Sequence, residues 1–447
     1  LAEDRKFNKT LSAKDLISMG IGAVIGTGIF ILPGTVAALH SGPAITISFV
    51  IAALVCSTAA MCYAEFSSAL PIAGSAYSFG NVVFGEIVGW FLGWALILEY
   101  MLSVAAVSTG FSAYFNSLLA GFGIHLPKAI TGPFDPANGT FINLPAVLIV
   151  LFIAYVLSRG LRTSMTINSI VVVIKIAIII LFLLVGMFYV KPANWDPFMP
   201  FGTKGVLVGA AQVFFAYLGF DVVASSAAEV KEPAKNMPRG IIGTLAICTL
   251  LYILVSIVLT GMISYTKLNV ADPVSFALYA VKQNWVAGII SVSALAGMFT
   301  MMVTMVYSSS RLIYSIGRDG LLPKFLGQIN EKTKTPEKSM LIVTVIIALT
   351  GGFFSLNQLT NLVNIGTLLA FMFVSLGVLP LRKRKDIPNK DGFKVPFYPV
   401  LPIISAILCA VMLAQLSLET WTAAFVWFAV GMVIYFSYGI KHSKINE

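Results

Sequence analysis

Twelve apolar stretches divide this chain, each roughly 15–30 residues long, close to the ~20 that an α-helix needs to cross a hydrocarbon core. They fall at 15–40, 43–70, 84–118, 143–158, 163–190, 203–229, 239–264, 284–314, 338–354, 359–381, 400–417 and 421–439. Only 11% of the residues are charged and 58% are hydrophobic, whereas a soluble domain carries about 25% charge. The pattern predicts an all-α integral membrane protein with twelve transmembrane helices.

A net charge of +10 suggests a nucleic-acid partner until the basic residues are located. They lie between the apolar stretches, where they read as a topology signal, and no nucleic acid is expected. With the N-terminus in the cytoplasm, the inner segments carry 23 of the 29 Lys and Arg residues and the outer ones 5. The positive-inside rule then puts both termini in the cytoplasm of a multi-pass plasma-membrane protein. Its first residues, LAEDRKFNKTLSAKD, are charged and unlike a cleavable signal peptide. Cys56, Cys62, Cys248 and Cys409 all fall inside apolar stretches, so no disulfide framework is expected. His40, His125 and His442 are scattered without metal-ligand spacing, and neither a metal nor a cofactor is expected.

The first span is interrupted where it ought to be most regular. It reads GIGAVIGTGIF from Gly20 to Phe30, with glycines at 20, 22, 26 and 28, each costing roughly 0.8–1 kcal/mol of helix relative to Ala. In hydrocarbon a broken helix survives only where protein or a polar cavity satisfies its freed backbone groups. Such a break aims N–H groups at the bilayer midplane and so forms an anion site, here read as gripping the carboxylate of a small solute. A plainer reading is that Gly22 and Gly26 form a GxxxG helix-packing pair. A dinucleotide fingerprint is excluded, because no strand precedes the glycines.

The sixth span, GVLVGAAQVFFAYLGFDVVASSAAE, is less apolar and holds a mid-span Gly219 followed by a buried acid, Asp221. An intramembrane acid usually marks a pathway or an interior partner; the alternative is that Gly219 packs and Asp221 caps a local turn. Spans one and six lie five helices apart, and an odd number of helices per repeat makes the two repeats run oppositely. Interrupted helices at matching places in inverted halves point to a transporter's central site. This gives a cytoplasmic tail at 1–14, a first repeat at 15–190, a second at 203–381, two further helices at 400–439 and a tail at 440–447. The outer loop from Gly121 to Asn143, rich in Gly, Pro, Asn and Asp, is expected to be irregular. Asp272 followed by Pro273 predicts the start of a short helix on the outer side.

These motifs together resemble the amino acid–polyamine–organocation (APC) transporter superfamily, and most nearly its cationic amino acid transporter branch. The resemblance covers essentially the whole chain. It rests on IGAVIGTGIFILPG in span one, YAEFSSALPIAGSAYSF after span two, EVKEPAKNMPRGI after span six, SRLIYSIGRDGLLPKFL after span eight and FKVPFYPVLPI before span eleven. It implies a LeuT-like fold of five plus five inverted helices, with helices 1 and 6 broken, working by alternating access. It also implies that Ile25, Gly26, Thr27 and Gly28 surround the substrate carboxylate with backbone groups. Phe215, Ala216 and Leu218, beside Gly219, would offer carbonyls to the α-amino group, with Phe220 as an aromatic gate.

Lys175 is the one basic residue that no loop or helix end accounts for. It lies about 12 residues, or ~18 Å, from the cytoplasmic end of its span and must face the protein interior. In proton-coupled members of the family such a lysine ammonium stands where sodium-coupled relatives hold Na⁺. Burial favours the neutral amine, which suits proton exchange; the alternative is a permanently charged structural lysine bonded to broken-helix carbonyls. Glu99, the only acid central to span three, either shares the polar interior with Lys175 or bonds to a neighbouring helix, and Tyr252 in span seven is a candidate for the same network. Glu65, near the cytoplasmic end of span two, reads as a gating or packing residue. The row Met298, Met301, Met302 and Met305 reads first as core, but span eight borders the site in this fold, so Met305 is a candidate for capping the side-chain pocket.

The expectation is a secondary active transporter of L-amino acids, small neutral, cationic or both, coupled to protons. Its partners are the amino acid, the proton and membrane lipid, and it is expected to act as a monomer. A proton-independent amino acid exchanger is the alternative. An ion channel would need a symmetric pore-lining motif or a ring of charges. An intramembrane enzyme would need a nucleophile–base pair or a metal cluster, and the sequence offers none of these.

Overall fold

A computed structural model describes residues 10–71, 75–159, 165–225, 230–329, 336–387 and 392–444. The outermost residues of both predicted tails, the first two residues of span five, the last four of span six, and parts of the loops after spans two, four, eight and ten lie outside the described residues.

Among the described residues there are helices and no strands, with three isolated bridges. The first helix, α1 (Ala13–Val24), starts at a capping box in which the Ser12 backbone N–H and hydroxyl both donate to Asp15 Oδ2 at 3.0 Å. Two short helices continue its span, α2 (Thr27–Phe30) and α3 (Leu32–Val36). Then come α4 (Ile45–Ala69), α5 (Ala76–Val83), α6 (Glu86–Gly121), α7 (Leu144–Ser158) and α8 (Met165–Gly186). The sixth span is split in turn into α9 (Gly202–Val213), a 3₁₀ turn at Phe214–Tyr217 and α10 (Phe220–Ser225). It is followed by α11 (Pro233–Met262), the short α12 (Pro273–Ala280) and α13 (Asn284–Arg318). The chain ends with α14 (Glu337–Phe353), α15 (Leu356–Lys383), α16 (Val400–Ala414), α17 (Leu418–Ile434) and α18 (Ile440–His442). α15 also opens with a capping box, Ser355 paired with Gln358.

Every predicted span is largely helical, yet seven helices among the described residues are long and apolar enough to cross a membrane. The physical reasons for the shortfall are local. Spans one and six are cut by their breaks, the end of span one running into span two through the turn at Gly42, and α7, α14 and α16 are only 15, 17 and 15 residues long. The outer loop is irregular, as expected, with 3₁₀ turns at Lys128–Ile130 and Pro136–Asn138. α12 begins at Asp272–Pro273 as expected, but it is tucked inward, with Val274 and Leu278 buried and the Ser275 hydroxyl 2.7 Å from that of Ser291 on α13.

α6 is the most enclosed of the long helices, packed against α13, α14 and α15. α1 lies between α8, α11 and α13. α17 is the most exposed and is fastened to α6 by paired tryptophans. Trp94 and Trp427 stack with centroids 4.2 Å apart, and each indole N–H donates to the other residue's carbonyl, at 2.8 and 3.1 Å.

On the side where α4 ends and α15 ends, a second tie forms. Arg382 donates to the buried Glu65 carboxylate through Nε and Nη2, at 3.1 and 2.7 Å to Oε1. Glu65 also accepts the Val395 N–H at 2.8 Å, and the guanidinium lies over the Tyr398 ring, 4.0 Å from its centroid. The Asp319 carboxylate nearby accepts the Tyr77 hydroxyl at 2.6 Å, and its carbonyl accepts the Lys444 N–H at 2.9 Å.

Candidate functional site

The helix of α1 stops because Ile25 leaves helical space, at φ −78° and ψ 113°, after its N–H has closed the last turn onto Ile21 at 3.0 Å. Thr27 opens the next helical turn; its side chain lies outside the described residues. The carbonyls of the last α1 turn thus lose their helical partners and need others. Two of them find Lys175. Its buried Nζ donates to Gly22 O and to Ile25 O, each at 3.0 Å. An ammonium shut away from water is costly unless such bonds are made, and this pair supplies them from the broken end of a helix, where the dipole is negative.

The second break repeats the first in different form. After the 3₁₀ turn, Leu218 is extended at φ −73° and ψ 143°, its N–H bonded to Phe215 O at 3.2 Å. Gly219 then adopts φ +121°, a region closed to side chains, and a Cβ there would stand 2.8 Å from Ala23 O. Tyr252 of α11 spans the two breaks, its hydroxyl 2.6 Å from Ala216 O and 3.4 Å from Val24 O. Tyr217 and Tyr114 brace the same region from either side, donating to Phe49 O at 3.0 Å and to Phe30 O at 2.7 Å. Phe215 is buried within the turn, and Phe220 is boxed by Tyr63 and Phe371, at 5.7 and 5.1 Å between centroids.

The buried Glu99 carboxyl faces Asp221 of α10 and the Thr367 hydroxyl of α15, and among the described residues no ion pair joins it to Lys175. Instead Cys248, one turn before Tyr252 on α11, lies beside the lysine. Met305 is buried on α13. Two residues of that helix that the sequence did not single out for the site stand against it. Gly297 leaves room for the lysine stem, a Cβ there falling 2.8 Å from Lys175 Cε, and the Met301 sulfur covers Gly26. Gly26 therefore marks a close approach to α13 as well as a bend. Their signal was the four-residue spacing Gly297–Met301–Met305, which places all three on one helix face.

The site thus joins unwound backbone from two helices, one buried ammonium, one bridging phenol and an apolar surround. Such an arrangement can hold a small polar solute by backbone groups and move a proton at Lys175 Nζ. The chain is similar to known transport proteins over most of its length. Residues 11–437 match the family described as amino acid permease. The chain is 52% identical over 446 residues to the methylthioribose transporter of Bacillus subtilis (strain 168), covering 100% of this chain and 96% of that protein. It is 47% identical over 448 residues to the branched-chain amino acid permease BcaP of the same organism, covering 99% and 96%. To the vacuolar cationic amino acid transporter 4 of Arabidopsis thaliana it is 36% identical over 380 residues, covering 84% and 63%.

Proposed function

Because the chain belongs to the amino acid permease family of the APC superfamily and is a multi-pass membrane transporter of amino acids or related organic solutes, we propose that it is a proton-coupled L-amino acid importer. It would work by alternating access in a LeuT-like arrangement of five plus five inverted helices, with twelve crossings and both termini cytoplasmic. The observation that carries this reading is Lys175, whose Nζ spans Gly22 O and Ile25 O at the broken end of α1. Protonated, it braces α8 against α1; deprotonated, it releases one element from the other and favours a different conformation. Substrate release to the cytoplasm is thereby tied to proton release.

The cargo is a small neutral amino acid in the first instance. The breaks offer N–H groups from residues 26–28 for a carboxylate and carbonyls from residues 215–218 for an amine, while Phe215 and Met305 are apolar. One relative is named for methylthioribose, a neutral thio-sugar, so that compound belongs in the substrate panel beside leucine, alanine and arginine.

Purified protein in liposomes, acidic outside, tests the reading. Gradient-driven accumulation of an amino acid with matching internal acidification is expected. Lys175→Met, which keeps the stem length without the charge, and Lys175→Ala should retain counterflow exchange but lose accumulation. Accumulation by both variants would overturn proton coupling at Lys175. Counterflow in the parent without any response to the gradient would make the protein an exchanger.

A further inference from the structure

One face of α13 meets both Lys175, which holds Gly22 O and Ile25 O, and Gly26. At one end Gly297 backs the Lys175 stem, with Cε, Cγ and Cδ 2.8, 3.2 and 3.5 Å from where a Cβ would be. One turn later the buried Met301 lays its sulfur over Gly26, with Cε and Cγ also within 4 Å of that glycine's missing Cβ. Between these contacts runs the peptide joining Ile25 to Gly26. Its carbonyl is held by Lys175 Nζ at 3.0 Å. It lies outside α1 and α2, so no helical ladder fixes its plane.

A peptide outside a helix can turn about its flanking ψ and φ, and at a glycine that rotation meets little steric resistance. Lys175 restrains one side of this peptide. The three atoms nearest to where a Gly26 Cβ would stand all belong to Met301. A thioether suits the task, since it is long enough to reach and fills irregular space. It also has no donor to compete with the ammonium for Ile25 O.

We propose that Met301 is a positioning residue. Together with Lys175 it pins the Ile25–Gly26 peptide, so that Ile25 O stays on the ammonium and the N–H groups that follow stay aimed into the break. The proposal rests on the break being the substrate site, and it adds that Met301 sets the orientation of the backbone in that site.

Four variants in liposomes test it: Met301→Ala, Met301→Leu, Gly26→Ala and the double Gly26→Ala/Met301→Ala. Leucine counterflow supplies KM and the maximal rate, and the ligand-free thermal midpoint reports on folding. Met301→Ala should raise KM about tenfold, in line with the cost of slight misplacement of a binding group, with maximal rate and midpoint near the parent's. Met301→Leu should return KM to within about twofold of the parent. Gly26→Ala should bind worse than the double variant, because truncating Met301 vacates the space that the new Cβ needs. A parental KM in Met301→Ala, a double variant no better than Gly26→Ala, or a fall in midpoint with unchanged KM would each overturn the proposal. Amide hydrogen exchange over residues 21–30 supplies an arm independent of cargo. Met301→Ala should speed exchange there and leave the rest of α13 unchanged, whereas parental exchange rates would overturn the proposal. If the parent moves none of the panel, the functional reading fails while this arm still decides the role of Met301.

Discussion

Gly28 and Ala216 meet with no room for a side chain between them: a Cβ on Gly28 would stand 2.5 Å from Ala216 Cα and 2.7 Å from its Cβ. The breaks of spans one and six are therefore one unit, in which each interrupted helix closes the other. Gly219 completes the contact from the opposite direction, with its φ of +121° and its approach to Ala23 O.

Gly28→Leu and Gly219→Leu are each expected to abolish substrate binding while the protein still inserts and purifies as a single species. At position 28 the obstacle is backbone, which cannot move aside as a flexible side chain would. At 219 a side chain also forces an unfavourable φ, costing on the order of 1–3 kcal/mol. Ligand-induced thermal shift is the measurement, and a normal shift in both variants would return the glycines to helix packing alone.

Met305→Ser is expected to admit longer amino acids than the parent accepts, because it removes a buried apolar side chain from the same α13 face that touches Gly26. Competition with a series of increasing side-chain length against leucine uptake reads this directly. An unchanged selectivity profile would place Met305 in the helix core.

Glu65→Gln takes the carboxylate from Arg382 while its amide oxygen can still accept the Val395 N–H. Glu65→Gln should lower stability on the order of 3 kcal/mol, seen as a fall of several degrees in thermal midpoint. Exchanging the charges, Glu65→Arg with Arg382→Glu, should recover only part of it, because the Val395 N–H needs an acceptor at position 65.

Asp272, at the start of α12 on the side expected to face outward, supplies a pH signature. Burial raises its carboxyl above the ordinary value. The folded chain then holds this proton more tightly than the unfolded chain does. The resulting stability is complete below the unfolded value, about 3.9, and is lost as pH rises through the folded one. Asp272→Asn should therefore raise the thermal midpoint at pH 7.5 and match the parent near pH 4. A deficit at both pH values would mean that the carboxylate is needed in its charged form.

For orientation, single cysteines at Asn138 and Lys235 in a cysteine-free background should label from opposite sides of the membrane. Both residues are exposed, and Thr333, which lies outside the described residues, is expected to label with Lys235. Labelling of Asn138 and Lys235 from the same side would overturn the twelve-crossing arrangement.

How much of this was legible in the sequence depended on whether a residue offended a local rule. The glycine run at 20–28 and the pair Gly219–Asp221 break helical regularity, and Lys175 breaks the charge pattern of the loops, so each announced itself. Glu99 was visible as an intramembrane acid, but its neighbours Asp221 and Thr367 come from distant helices, and nothing in the spacing of the chain brings them together. Arg382 looked like any basic residue at an inner helix end, which concealed its bond to Glu65. Met301 obeyed every rule for a core residue; only the position of Gly26 gives it another meaning.

Tyr252 carries one hydroxyl hydrogen between two carbonyls, Ala216 O at 2.6 Å and Val24 O at 3.4 Å. A phenol can serve one of them at a time, and a buried carbonyl left without a donor costs about 1–3 kcal/mol. The hydrogen's location therefore records which half of the chain must be supplied by an outside donor, whether water or the solute's amine. Fluorotyrosine at this single position would turn that record into a ¹⁹F resonance, reporting the state of both halves from one atom.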